Sequence, residues 1–218
     1  MRQIALLPSL IAEQPADLAA AVVAASDRQV DDKGIEDAVG RDEFGVSSDA
    51  LNYHRIVWRC AEEWGEGEFD RQLAREVKGE ICRRRGYDPD DFESALLATK
   101  ARARLPFGWT ALDLARFRAR LNPIRLLDGD LAESRLATEI AAIALQLQHL
   151  QKEKAILLPI EQLREMFAQR KVVVSGAVMR LVEAGILRCV DEKYHTGKAR
   201  EFMFIGEEHR HFEVASPP

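Results

Sequence analysis

Apolar residues recur every three or four positions through the last third of the chain, and this spacing predicts helices. The longest predicted helix covers residues 131–150, with Asp130 as its N-cap and Glu133 as the partner in a capping box. Its apolar stripe consists of Leu136, Ile140, Ile143, Leu147 and Leu150. Two shorter helices follow, one beginning at Pro159 and one ending before Gly185, a residue that favours the turn that terminates helices.

Short apolar runs between and after these helices predict three small strands. They cover residues 156–158, 186–190 and 202–205. The polar segment between the last two contains Thr196 and Gly197, which predict the tip of a hairpin. The predicted order is therefore helix, strand, helix, helix, strand, polar hairpin and strand, with a tight connection at residues 169–171 between the two short helices.

Helical spacing also dominates the earlier part of the chain. Helices are predicted over residues 50–64, 69–85, 91–104 and 110–121, the last of them capped by Thr110. Two short helices are predicted before these, the second starting near Asp17, although the apolar run at 4–12 also imitates a signal peptide.

The acidic segment 27–49 contains three glycines and two serines at its end, and it is predicted to be a loop or linker. We expect residues 1–127 to form a helical region of unassigned role, followed by a separate domain over residues 128–218.

Composition agrees with a globular, mostly α-helical protein. The 218 residues are 47% hydrophobic and 31% charged, and no apolar stretch approaches the roughly 20 residues that span a bilayer. Three scattered cysteines favour a reducing compartment, so a cytoplasmic location and no membrane association are expected. The net charge of −5 means that any nucleic-acid contact must come from a local basic patch.

Two motifs in the last third of the chain resemble those of winged helix-turn-helix modules. Residues 181–187 (LVEAGIL) are similar to the end of a recognition helix entering the wing, and residues 197–202 (GKAREF) to the returning wing strand. The start of the second helix, at residues 157–163, is similar as well. The resemblance covers about residues 130–206 and is to modules of phage, plasmid and primase-associated replication proteins. It implies a mostly α fold with a small β-hairpin wing, and binding of double-stranded DNA in replication or its control.

The geometry of such a module indicates which residues would meet DNA. A helix fits the major groove, and a basic hairpin beside it reaches phosphates or the minor groove. The candidates on or before the second short helix are Arg170, Lys171, Val173, Gly176, Met179 and Arg180. The candidates on the hairpin are Lys193, Lys198 and Arg200. The helical phase also turns Val172 and Glu183 outward, and the apolar character of this face leaves protein docking open as an alternative.

A second basic feature lies at residues 100–125, which hold seven basic residues and one acidic residue. Arg116 and Arg120 lie four residues apart and share a helix face, so they are candidate phosphate contacts. The alternative is a solvated helix face that pairs with the acidic segment 27–49.

Motifs for catalysis are absent from the sequence. It contains no P-loop, no dinucleotide-binding glycine motif and no nucleophile elbow. The aspartates at 88–91 and 128–130 imitate acid pairs of a nuclease or primase, but they flank predicted helix starts, where capping explains them. Cys189, His195, His209 and His211 match no common zinc spacing.

The sequence therefore predicts a non-enzymatic DNA-binding protein without cofactor, with double-stranded DNA and a replication protein as expected partners. An adaptor whose winged helix docks a partner protein is the alternative.

Overall fold

The computed structural model describes residues 15–32, 41–64, 71–127, 129–190, 200–206 and 211–214. Over these ranges the chain is mostly helical and carries two small antiparallel sheets, which confirms the mostly α class. The helices in these ranges all lack the combination of length and apolar character that a membrane span requires. The chain divides into two compact units, Met1–Trp109 and Thr110–Pro218.

The described residues of the first unit form four α-helices around one core. They are α1 (Pro15–Asp32), α2 (Arg41–Trp64), α3 (Arg71–Arg85) and α4 (Pro89–Thr99), and a short 3₁₀ turn, Lys100–Arg102, follows α4. Leu18, Ile56, Ile81 and Phe92 are almost completely buried in their shared core. The predicted capping by the 88–91 aspartates is confirmed at Asp88, whose side chain accepts hydrogen bonds from the first amides of α4.

The prediction of a loop or linker at residues 27–49 is wrong for residues 27–32 and 41–49, which are helical, whereas residues 33–40 lie outside the described part of the chain. Its described residues belong to the end of α1 and the start of α2. Asp49 is fully buried and accepts hydrogen bonds from Arg85 Nε at 2.9 Å and from the Tyr87 hydroxyl at 2.8 Å. Asp27 pairs with the same guanidinium at 2.6 Å. These two acids therefore link α1 and α2 to the end of α3 through one guanidinium, a role that glycine content and local charge do not reveal.

The second unit contains five helices and five strands within its described residues. The helices are α5 (Ala111–Leu121), α6 (Gly129–Ala132), α7 (Arg135–Gln151), α8 (Ile160–Phe167) and α9 (Lys171–Glu183). The strands are β1 (Ile124–Leu126), β2 (Ile156–Leu157), β3 (Leu187–Cys189), β4 (Glu201–Phe204) and β5 (Phe212–Val214). Strands β2, β4 and β3 form one antiparallel sheet in that order, with Ile156 and Cys189 on either side of Phe202. The strands predicted at 156–158, 186–190 and 202–205 are thereby confirmed.

The boundary between the units falls after Trp109. The sequence predicted it between residues 127 and 128. The difference arises because α5 and β1 pack against α7. Leu112 of α5 and Leu126 of β1 lie in the same core cluster as Ile140 of α7. Strand β5 then pairs with β1 at the other end of the unit, a pairing that the sequence did not predict.

Helix α7 differs from its prediction in its start and its burial. It begins after Ser134, whose hydroxyl accepts a hydrogen bond from the Ala137 amide, and not after Asp130. Its burial also extends beyond one stripe, because Ala141 and Ala144 are completely buried as well. Alanines on the remaining faces let α5, α9 and the three-stranded sheet all approach α7, so it forms the centre of the unit.

Candidate nucleic-acid interface

Helices α8 and α9 are joined by a connection of three residues. Ala168 adopts the left-handed conformation, with φ at 51°, and its amide donates to the last turn of α8. The amide of Gln169 also donates to the carbonyl of Arg164 at 3.0 Å. An alanine therefore makes the turn that a glycine makes more easily, and the tight connection predicted at this point is confirmed.

Helix α9 begins at Lys171 although three consecutive valines occupy its first turn. The carbonyl of Arg170 accepts hydrogen bonds from the amides of Val173 and Val174, which closes that turn without a side-chain cap. The low helix propensity of valine at this point is offset by burial of Val174, which is inaccessible to solvent in the core.

The two faces of α9 lie as the helical phase predicts. The buried residues are Val174, Ala177, Val178 and Leu181. The exposed residues include Val172, Val173, Gly176, Met179, Arg180 and Glu183. Val172 is 73% exposed, Val173 41% and Met179 39%, so the outward face presents an apolar patch made of these three side chains.

Cationic side chains lie at both ends of this apolar patch. Arg170, at the N-terminal end, is exposed, and its side chain makes no polar contact within the described part of the chain. Lys171 pairs with Glu161 of α8 at 2.6 Å, and this contact, followed by that of Arg164, lowers the pKa of Glu161. Arg180 donates to the Ser134 hydroxyl at 3.5 Å. Lys171 is thus paired with an acid of α8, whereas Arg170 before α9 and Arg180 within it make no ion pair with a described residue.

Arg200 brings the segment before β4 beside α9. Its Nη1 lies 3.7 Å from the Met179 sulfur. Arg200, the residue before β4, therefore lies beside the outward face of α9. Lys193 and Lys198, the other two predicted hairpin contacts, lie outside the described residues.

Arg116 and Arg120 belong to the second unit and lie on α5. Burial lowers the pKa of Arg116, and the positive charge of Arg120 lowers it further, whereas Asp113 and Glu139 oppose the shift. Arg120 itself is exposed. The two arginines are thus close enough for the charge of Arg120 to disfavour the charged form of Arg116, and Glu139 partly balances that effect.

Arg135 was missed by the sequence analysis. It is exposed and pairs with Glu139 at 2.7 Å in the first turns of α7. Arg180 contacts Ser134 at the N-terminus of the same helix, so the arginines of α5 and α9 both border the start of α7. Local charge does not mark Arg135, because the surrounding sequence, with Asp130, Glu133 and Glu139, is acidic overall.

Side chains that could hold a metal ion are not gathered in the described ranges. There, His, Cys, Asp and Glu side chains form no cluster of three that could hold a metal ion. Asp128, His195 and His209 lie outside those ranges. An open depression of about 640 Å³ at the α8–α9 connection is lined by residues of both charges, among them Glu161, Glu165 and Arg170.

Comparisons of this chain with protein-family models, with curated proteins and with solved structures found no match. The function is therefore inferred from the side chains of α9, their neighbours and the strands beside them.

Proposed function

We propose that the second unit is a winged helix-turn-helix module that binds double-stranded DNA, with α9 as its recognition helix. The order α7, β2, α8, α9, β3, β4 and the pairing of β2, β4 and β3 support this proposal. The observation that carries it is the contact of Arg200 with Met179, because it brings the base of the hairpin and the outward face of α9 to one surface. The resemblance to replication modules favours a role in replication, or its regulation, on a mobile element.

Electrostatics support the same surface. Arg170 precedes the first turn of α9, where the positive end of the helix dipole also favours phosphate. Arg180 and Arg200 add positive charge further along the face. A helix with its side chains is about 10–12 Å wide and matches the major groove, so these three arginines can contact phosphates while the central residues approach base edges.

Fluorescence anisotropy with mixed-sequence duplexes at about 50 mM salt tests the proposal directly. A charge-assisted hydrogen bond is worth about 1.5–3 kcal/mol, and each 1.4 kcal/mol is a tenfold change in affinity. Lys198→Ala combined with Arg200→Ala should therefore weaken binding at least tenfold, and Arg180→Ala should also reduce any preference among sequences. Arg75→Ala, which removes an exposed arginine of α3, is the matched control. Absence of binding by the wild-type protein would reject the proposal.

The salt dependence of binding tests the contribution of α5. If Arg116 and Arg120 contact phosphates, replacing both by glutamate weakens binding to every duplex alike. It also reduces the slope of log affinity against log salt concentration by about 0.9 for each lost phosphate contact. An unchanged slope would assign the two arginines to intramolecular pairing with residues such as Glu139.

Docking of a partner protein is the second candidate function, and the apolar patch of Val172, Val173 and Met179 favours it. The salt dependence of binding and the effect of single substitutions distinguish the two functions. Binding that falls steeply with salt and is lost in Arg180→Ala indicates DNA, whereas a protein-docking patch depends on Val172 and is insensitive to salt.

A further inference from the structure

The centre of the outward face of α9 contains few groups that can hydrogen-bond to base edges. Between Lys171 and Arg180, its exposed residues are Val172, Val173, Ser175, Gly176 and Met179. One hydroxyl is thus the sole hydrogen-bonding side-chain group on this exposed stretch, and Lys171 at its edge is engaged by Glu161. Readout by bidentate arginine, asparagine or glutamine is therefore not available to the first two turns of α9.

Thymine offers the one apolar group that the major groove presents, its C5-methyl. We propose that Val172 and Val173 contact thymine methyl groups, so that the protein prefers duplexes with thymines in the groove occupied by α9; this inference rests on the proposed DNA-binding function. Arg170, Arg180 and Arg200 lie around the valines. Charge complementarity therefore points to a polyanion that carries apolar groups between its charges, as duplex DNA does.

Two structural features suit the valines to this role. A valine in a helix has essentially one side-chain rotamer, so its methyl groups are held in place before DNA binds. Gly176 lies one turn after Val172 and Val173, and a Cβ built on it would meet no atom within 4 Å. The face beside the valines is thus open, and the backbone of α9 can come close to the bases.

The expected size of the effect follows from the hydrophobic contribution of one methyl group. Burial of a methyl group corresponds to about a fourfold change in an equilibrium constant. Two valines that each contact one thymine methyl should therefore give a preference of about tenfold or more over a duplex that lacks these methyl groups.

The experiment changes only the methyl groups of the DNA. The full-length protein is titrated with an A·T-rich duplex, with the same duplex containing uracil in place of thymine, and with a G·C duplex containing cytosine or 5-methylcytosine. The expected result is binding to the uracil duplex that is weaker by about tenfold or more, and stronger binding to the 5-methylcytosine duplex than to its unmethylated counterpart.

Variants assign the effect to α9. The double variant Val172→Ala, Val173→Ala should bind the thymine and uracil duplexes equally, and its circular dichroism should match the wild type because both side chains are exposed. Val190→Ala, which removes another exposed valine of the same unit, should keep the full preference. Equal wild-type affinity for the thymine and uracil duplexes would overturn this inference and leave DNA binding intact. Failure to bind any duplex would overturn the proposed function as well.

Discussion

Gly176 allows the stability of α9 to be separated from its proposed function. It lies in the interior of the helix, on the exposed face, and a Cβ at this position would meet no atom within 4 Å. Substitution therefore brings no clash, and only helix propensity changes. We expect Gly176→Ala to raise the free energy of unfolding by about 0.8–1 kcal/mol, and Gly176→Leu by nearly as much.

The two substitutions should differ in DNA binding. Alanine adds one methyl group to the face, whereas leucine adds a side chain that stands between the helix backbone and the bases. We expect Gly176→Leu to weaken duplex binding at least tenfold while it stabilises the fold, and Gly176→Ala to change affinity by less. Unfolding is followed by far-ultraviolet circular dichroism in urea, and binding by anisotropy.

Gly79 of α3 provides the matched control. It is also exposed within a helix, with no atom within 4 Å of a built Cβ, and it belongs to the first unit. Gly79→Leu should give a similar gain in stability without any loss of binding. The reasoning is refuted if Gly176→Leu binds duplex DNA as tightly as the wild type, because the outward face of α9 then does not approach DNA.

Three further predictions concern the cores and their titratable groups. Leu181→Ala removes a side chain with no exposed surface and should lower the free energy of unfolding by about 2–5 kcal/mol in a urea titration. Leu157→Ala, at a residue that is 53% exposed, should lower it by less than about 0.5 kcal/mol. A loss below about 0.5 kcal/mol at Leu181 would contradict its place in the core. Burial raises the pKa of the Cys60 thiol to about 12. A thiol reagent at neutral pH should therefore label half-buried Cys189 in the native protein and Cys60 only after unfolding. Equal labelling rates at the two cysteines in the native protein would contradict this prediction. Burial, and then the charge of Glu93, raises the pKa of Tyr53 to about 12. The neutral hydroxyl therefore stabilises the fold below pH 10, and this contribution is lost between about pH 10 and 12. Tyr53→Phe should reduce the pH dependence of the free energy of unfolding in that window, and an unchanged dependence would contradict the assignment.

Features that depend on local periodicity could be predicted from the sequence. The faces of α9 follow from the spacing of Val174, Val178 and Leu181, because side chains three and four residues apart share one side of a helix. Thr110 and Asp113 form a full capping box at the start of α5. Gly185 adopts a φ of 72°, as the end of α9 requires.

Features that join distant parts of the chain needed the tertiary structure. Asp49 and Arg85 are 36 residues apart, so their pairing cannot be read from local sequence, and Asp49 lies in α2 where a linker was predicted. Lys171 is a candidate DNA contact by sequence, but its pairing with Glu161 depends on how α8 packs against α9.

The sequence by itself determined which residues of α9 point outward and that arginines flank them. Only the tertiary structure decided that Arg200 reaches Met179, that Arg180 reaches Ser134, and that α5 belongs to the second unit. The physical reason is that helix phase and capping are set by neighbours within about one turn, whereas a shared surface depends on packing between segments whose separation along the chain carries no periodic signal.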